Sequence, residues 1–219
     1  MKVKLTILTL LCSLINNVTA GELSGNISTG YKSDYIYRGA LVSSEAIQTQ
    51  LGVEGNVSDN VGAYFSGFMS SPLAGTSDTY EFVGGVSSSF LDGLLAATGG
   101  YSHREQVDGA SVGELFIGLS ADVVLSPTVT VFYNLDDELY TTELGISHTF
   151  DTDLAALTVG AGVGQTEVTK TLDRDYFIAG LGASRVIVGN LKGNLGVDYI
   201  DAEDVDGETI VSVGLSLDF

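Results

Sequence analysis

From residue 22 to the last residue the chain alternates apolar and polar side chains with a period of two, and a 3.6-residue apolar period is absent. Successive side chains of an extended strand point to opposite faces, so this rhythm dictates strands and argues against helices. The final segment is the clearest case: Val211, Val213, Leu215, Leu217 and Phe219 share one face, and Ser212, Gly214, Ser216 and Asp218 the other. Similarly, Leu157, Val159, Ala161 and Val163 oppose Thr158, Gly160, Gly162 and Gly164. Such runs fall near 22–32, 45–56, 61–70, 78–90, 93–102, 111–123, 128–134, 139–150, 154–165, 176–187, 191–200 and 208–219, which makes twelve strands, an even number.

An apolar face and a wet face on every strand fit a closed transmembrane barrel, whose outer surface meets lipid while its lumen meets water. Closure also removes the sheet edges that would leave backbone groups unpaired in hydrocarbon. The joins predict an orientation. Those at 57–60, 91–92, 125–127, 151–153 and 188–190 are tight, and those at 33–44, 71–77, 103–110, 166–175 and 201–207 are longer and more polar, with 135–138 a short exception. Short turns belong to the periplasmic side of such barrels and long loops to the outside, so both termini are expected in the periplasm. Pro72 and Pro127 are expected in joins, where no ladder donor is needed. Tyr31, Tyr80, Tyr101, Tyr133, Tyr140 and Tyr199 then fall at outer strand ends, and Phe90, Phe150 and Phe219 at inner ends. These are the two aromatic girdles of a membrane barrel. A soluble β-sandwich also places aromatics at strand ends, but without an alternation of short and long joins.

Residues 1–20 carry Lys2 and Lys4, an apolar run from Leu5 to Ile15, and the small-residue ending Val18-Thr19-Ala20. This is a secretory signal with cleavage between Ala20 and Gly21, and its run is too short to span a bilayer. Cys12 is the one cysteine and leaves with the signal. Lipidation there is disfavoured by Leu11, which stands where a small residue is expected. The fold-forming unit is thus residues 21–219.

The chain holds 28 acidic and 9 basic residues and has a formal charge of −19. No basic face is available to neutralise phosphates, which excludes nucleic acid as a partner. One cysteine and two histidines exclude a disulfide scaffold or a structural zinc site. With 44% hydrophobic residues the chain is too apolar to stay unfolded.

The segment Ser33-Asp34-Tyr35-Ile36-Tyr37-Arg38-Gly39, following the first strand of a chain that ends in Phe219, resembles the SDYxxRG signature of the TorF-like porin family of proteobacterial outer membranes. The Gln48 to Gly52 and Tyr64 to Gly67 stretches are similar to that family's second and third strands. The resemblance implies a porin-like barrel without catalytic residues. A terminal phenylalanine closing an alternating strand also resembles the signal read by the outer-membrane assembly machinery, a feature of the class as a whole.

On the polar face the candidate pore-lining residues are Glu54, Glu81, Glu114, Glu143, Asp198 and Asp218, with Lys192 as the clear base. Glu81, Glu114 and Glu143 each begin a strand descending from an outside loop, so they are expected at similar depth near the outer mouth. A ring of acids there favours cations. The same acids also read, more simply, as solvated wall groups or as structural partners of Arg38 and Lys192. Arg38 has two readings: a constriction facing the glutamates, or an anchor of the first outside loop through Asp34.

The outside joins are acidic, with Asp78, Asp108, Asp136, Asp137, Glu138, Asp173, Asp175, Asp201, Glu203, Asp204 and Asp206. They lack an EF-hand pattern, so they read as solvated loops beside lipopolysaccharide and its cations, with no metal site or cofactor. An enzymatic barrel needs a nucleophile and base together. His148 is placed on the lipid face, opposite Ser147, and His103 in a join, so no catalytic pair is indicated. The sequence therefore predicts a non-enzymatic outer-membrane barrel of a Gram-negative bacterium. It passes small solutes by diffusion, with a preference for cations, or acts without conduction as a structural or adhesin-like barrel through its acidic loops. Twelve strands lie between filled eight-stranded barrels and water-filled porins of 16 to 18, so strand count alone does not set the opening. Gly160, Gly162, Gly164, Gly180, Gly182, Ser87 and Ser89 leave room along the lumen.

Overall fold

The computed structural model describes residues 23–74, 77–107, 109–203 and 205–219. The predicted cleavage site Ala20/Gly21, Asp108 and Asp204 lie outside the described residues. Among these residues are twelve strands: β1 (Leu23–Tyr37), β2 (Ala40–Ser58), β3 (Val61–Pro72), β4 (Thr79–Phe90), β5 (Leu95–Gln106), β6 (Ser111–Ala121), β7 (Thr128–Asn134), β8 (Tyr140–Asp151), β9 (Ala156–Thr169), β10 (Leu172–Val188), β11 (Leu191–Ala202) and β12 (Val205–Asp218). Each pairs antiparallel with its neighbours in sequence, and β1 pairs with β12 to close the barrel.

The register confirms the two faces. Asn26, Ser28 and Gly30 lie opposite Asp218, Ser216 and Gly214, and Ile27 and Tyr31 opposite Leu217 and Val213. The apolar face is turned outward: Leu51, Leu144, Leu181, Val197 and Leu215 are all more than 40% exposed. The few buried apolar residues include Ile200 and Ile210, which face the lumen. A water-soluble protein hides its large apolar side chains; this one presents them as a continuous outer belt.

The rim that holds Leu23 and Phe219 is termed the terminal rim, and the opposite one the distal rim. The tyrosines of the predicted outer girdle lie toward the distal rim, where Tyr133 and Tyr140 are 4.9 Å apart between ring centroids. At the terminal rim, Gly25 and Phe219 exchange backbone hydrogen bonds of 2.7 and 2.9 Å. Asp218 accepts from Asn26 and from Lys192, each at 2.7 Å, which ties β12 to both neighbours.

Four predicted outside loops are markedly shorter than expected, the join at 103–110 losing 103–106 to β5. The joins at 33–44, 166–175 and 201–207 shrink to Arg38-Gly39, Lys170-Thr171 and 203–204, because the flanking strands continue past the alternating segments. Lipid enforces apolar-polar alternation only over the bilayer's thickness. Beyond it both faces are wet, the alternation fades and the backbone ladder persists. The contrast of short and long joins on which the orientation rested is therefore not a contrast of loop length. It survives as strand overhang on the distal side of β1, β2, β9, β10, β11 and β12. Pro72 is the last residue of β3 rather than part of a join, a rim position that tolerates a missing donor. His103 lies on β5 rather than in a join, with its ring stacked on Tyr101.

The β1–β2 hairpin shapes the lumen. The β1–β12 ladder ends at Lys32 and Ser212, while both strands run on. The Val211 N–H donates instead to Ser33 Oγ at 3.0 Å. Beyond that point the β1–β2 register shifts at Tyr35/Ile36, and Glu45 takes a positive φ of 49°. The turn residues Arg38 and Gly39 have φ of 51° and 74°, the left-handed pair of a tight hairpin.

Candidate pore and its constriction

The tip of this hairpin lies inside the barrel and reaches both walls. Toward β3–β7, Tyr35 packs on Phe68 at 5.5 Å and Arg104 lies over the Tyr37 ring at 4.0 Å. The Arg38 guanidinium lies over Phe132 at 4.2 Å, donates to Glu114 in a close ion pair, and reaches Thr141 at 3.4 Å. The Tyr37 hydroxyl donates to the other oxygen of Glu114 at 3.2 Å. Toward β10–β12, Ile36 packs on Ile200 and Ile210, and Gly39 sits where a β-carbon would press on Ala202 and Tyr176. Desolvated guanidinium and carboxylate groups persist only when paired, and stacking on aromatic faces suits the flat guanidinium.

Arg38 thus stands inside the lumen in contact with Glu114, and no contact with Asp34 is seen among the described residues. Asp34 stays on the β1–β2 ladder opposite Ser44. The lumen acids were candidate partners of Arg38, and the structure singles out Glu114, 76 positions away.

Glu81, Glu114 and Glu143 all face the lumen, but they do not form an open ring. Glu81 is directly opposite Arg104 across β4–β5. Glu114 is buried against Arg38. Glu143 accepts from the Tyr176 hydroxyl at 2.5 Å. The Tyr176 ring covers Gly164, which has no room for a β-carbon. An aromatic ring laid over a strand glycine pins register, and here it also aims the hydroxyl.

Below the constriction lies a chamber of about 770 Å³. One side is walled by lumen glycines of β8–β11, among them Gly145, Gly160, Gly162, Gly180, Gly182 and Gly196. Arg38, Glu143, Tyr176 and Asp198 also line it. Asp198 has Lys32 at 3.7 Å. The bulky lumen groups Tyr64, Phe68, Phe116 and Phe132 stand on β3, β6 and β7, so the open space is displaced toward β8–β12. Glu54 is near the terminal rim, within a smaller recess of about 440 Å³ that includes Asp218, and accepts from Ser24 Oγ at 3.4 Å. Lys192 pairs with Asp218 and is separate from the constriction. His148 faces outward with its ring edge-on to Phe150 at 4.4 Å, while Ser147 faces the lumen.

A closed antiparallel barrel with an apolar belt, a polar lumen and an internal constriction defines the class: an outer-membrane-type β-barrel. No family model matches the chain, and no curated protein matches it. Solved structures do share the fold. The KdgM porin, in complex with disordered oligogalacturonate, superposes with a TM-score of 0.59 at 15% identity over 90% of this chain and 99% of that one. The NanC porin gives 0.57 at 12% identity over 88% and 98%. An outer membrane channel from Pseudomonas putida F1 gives 0.58 at 10% identity over 90% and 95%. The architecture of this chain is that of Gram-negative outer-membrane porins and channels.

Proposed function

We propose that the chain is a porin-like passive diffusion channel for small solutes in the outer membrane of a Gram-negative bacterium. The observation that carries this reading is the glycine-walled chamber beside the hairpin. A barrel built to be filled would place side chains on β8–β11, where this one places glycines. The reading sets the termini in the periplasm after cleavage between Ala20 and Gly21, and the distal rim outside. Outer-membrane lipid and lipopolysaccharide then surround the apolar belt, and the barrel-assembly machinery receives the closing strand through Phe219. The SDYxxRG-like segment supports a relationship to the TorF-like porins, since its Tyr37-Arg38-Gly39 end is the part of the hairpin that narrows the lumen. No group-transfer chemistry enters this reading.

A preference for cations follows from the carboxylates that line the chamber, Glu143 and Asp198. They make a polyanion such as the oligogalacturonate of the KdgM structure a poor fit. A second reading, a non-conducting structural or adhesin-like barrel, is favoured by the hairpin that bridges the lumen from wall to wall. Swelling of liposomes containing the refolded mature chain separates the two. Influx of small neutral sugars that falls off with solute size supports the channel. Folded barrels that admit none support the non-conducting reading.

A further inference from the structure

We infer that Glu143 alone among the three upper lumen glutamates sets the charge preference of the channel, with Tyr176 as its positioning residue. The inference rests on the channel reading above. It follows from what each carboxylate touches.

Glu114 is tied to Arg38, and both side chains are nearly buried, at 5% and 10% exposure. A passing ion meets this pair as a dipole rather than as a charge. Glu81 lies directly across the ladder from Arg104, whose charge reaches it, and it does not line the chamber. Glu143 lines the chamber, and the group that holds it is a neutral hydroxyl, Tyr176 Oη. The other carboxylate lining the chamber, Asp198, has Lys32 within 3.7 Å. Among the described residues no cation forms an ion pair with Glu143: Arg38, whose charge reaches it across the chamber, is already held by Glu114. An unmatched charge a few ångströms from the solute path biases the local ion population, and a matched one does so far less.

The position of Glu143 is built from the backbone up. Gly164 on β9 lies opposite both Glu143 on β8 and Tyr176 on β10. Its missing side chain lets the Tyr176 ring lie flat across β9, and this carries the hydroxyl to the carboxylate. Small monovalent cations are the solutes that such a single carboxylate, flanked by hydroxyls and glycine backbone, accommodates without trapping them.

The test is the reversal potential of the refolded mature chain in planar bilayers under a potassium chloride gradient. The wild type is expected to prefer potassium, and Glu143→Gln to lower the cation-to-anion permeability ratio by up to about thirtyfold, since one unit charge about 4 Å away in water changes the cation and the anion population each about fivefold, in opposite directions. The paired neutralisations Arg38→Gln/Glu114→Gln and Arg104→Gln/Glu81→Gln remove the same carboxylate charge but are expected to keep the sign of the potential. Gly164→Ala, which changes no charge but displaces the Tyr176 ring, should give an intermediate fall. Glu143→Asp guards against a folding artefact and should retain part of the preference. A control on the outer face, Glu105→Gln, should match the wild type. Conducting channels whose selectivity is unmoved by Glu143→Gln, or which prefer chloride from the start, overturn the inference and leave the channel reading standing. A folded but silent wild type defeats the channel reading itself.

Discussion

Arg38, at the tip of the first hairpin, and Glu114, near the start of β6, form an ion pair inside the lumen across 76 positions of sequence. Both ends of the pair are desolvated, and each is the other's main compensation. Removing one leaves the other as a buried lone charge, which typically costs about 3–5 kcal/mol. Glu114→Gln and Arg38→Gln should therefore each lower resistance to urea by a larger margin than the double variant. Equilibrium unfolding in detergent or lipid reads this out; losses that simply add would show that the pair is not coupled.

The glycine wall predicts a graded block. A β-carbon at Gly182 meets its nearest atoms at 3.9 Å, so a side chain there fits the wall and projects into the lumen. Gly182→Phe should fold like the wild type and slow sugar influx in swelling assays. An influx unchanged by this substitution would place the solute route elsewhere.

The outer belt predicts an asymmetry between neighbouring positions on one strand. Leu215 faces lipid and Ser216 the lumen, so Leu215→Arg should cost about 2–4 kcal/mol of bilayer stability near the midplane and Ser216→Arg far less. Folding titrations in lipid vesicles compare the two, and equal costs would contradict the assignment of faces.

These faces were legible in the sequence because lipid imposes a period of two wherever a strand crosses it. That signal also stops at the membrane boundary, which is why the overhangs of β1, β2, β9 and β10 read as loops. The lumen acids Glu54, Glu81, Glu114, Glu143 and Asp198 followed from the same parity. Which acid meets which partner did not, since Arg38 meets Glu114, Arg104 faces Glu81 and Tyr176 meets Glu143 only once the barrel has closed. The placement of Arg38 inside the lumen depends on a register shift at Tyr35/Ile36 and a positive φ at Glu45, a non-glycine residue that gives no compositional hint.

Closure at the terminal rim predicts a role for the last residue. Phe219 shares two backbone hydrogen bonds with Gly25, and its ring presses on that glycine. Deleting Phe219 removes both bonds and frees the end of the β1–β12 seam. The truncated chain should refold more slowly and convert less completely to the compact, heat-modifiable form on gels, whereas Phe219→Tyr should behave like the wild type. Identical refolding of the truncated chain would show that the seam closes without this contact.

The most direct test of the account is single-channel recording of the refolded wild type beside Gly182→Phe in planar bilayers. The account predicts stepwise openings whose unit conductance is clearly smaller in the variant, with ohmic behaviour retained. Folded barrels that give no openings, or openings of the same size in both proteins, would contradict a solute path along the glycine wall.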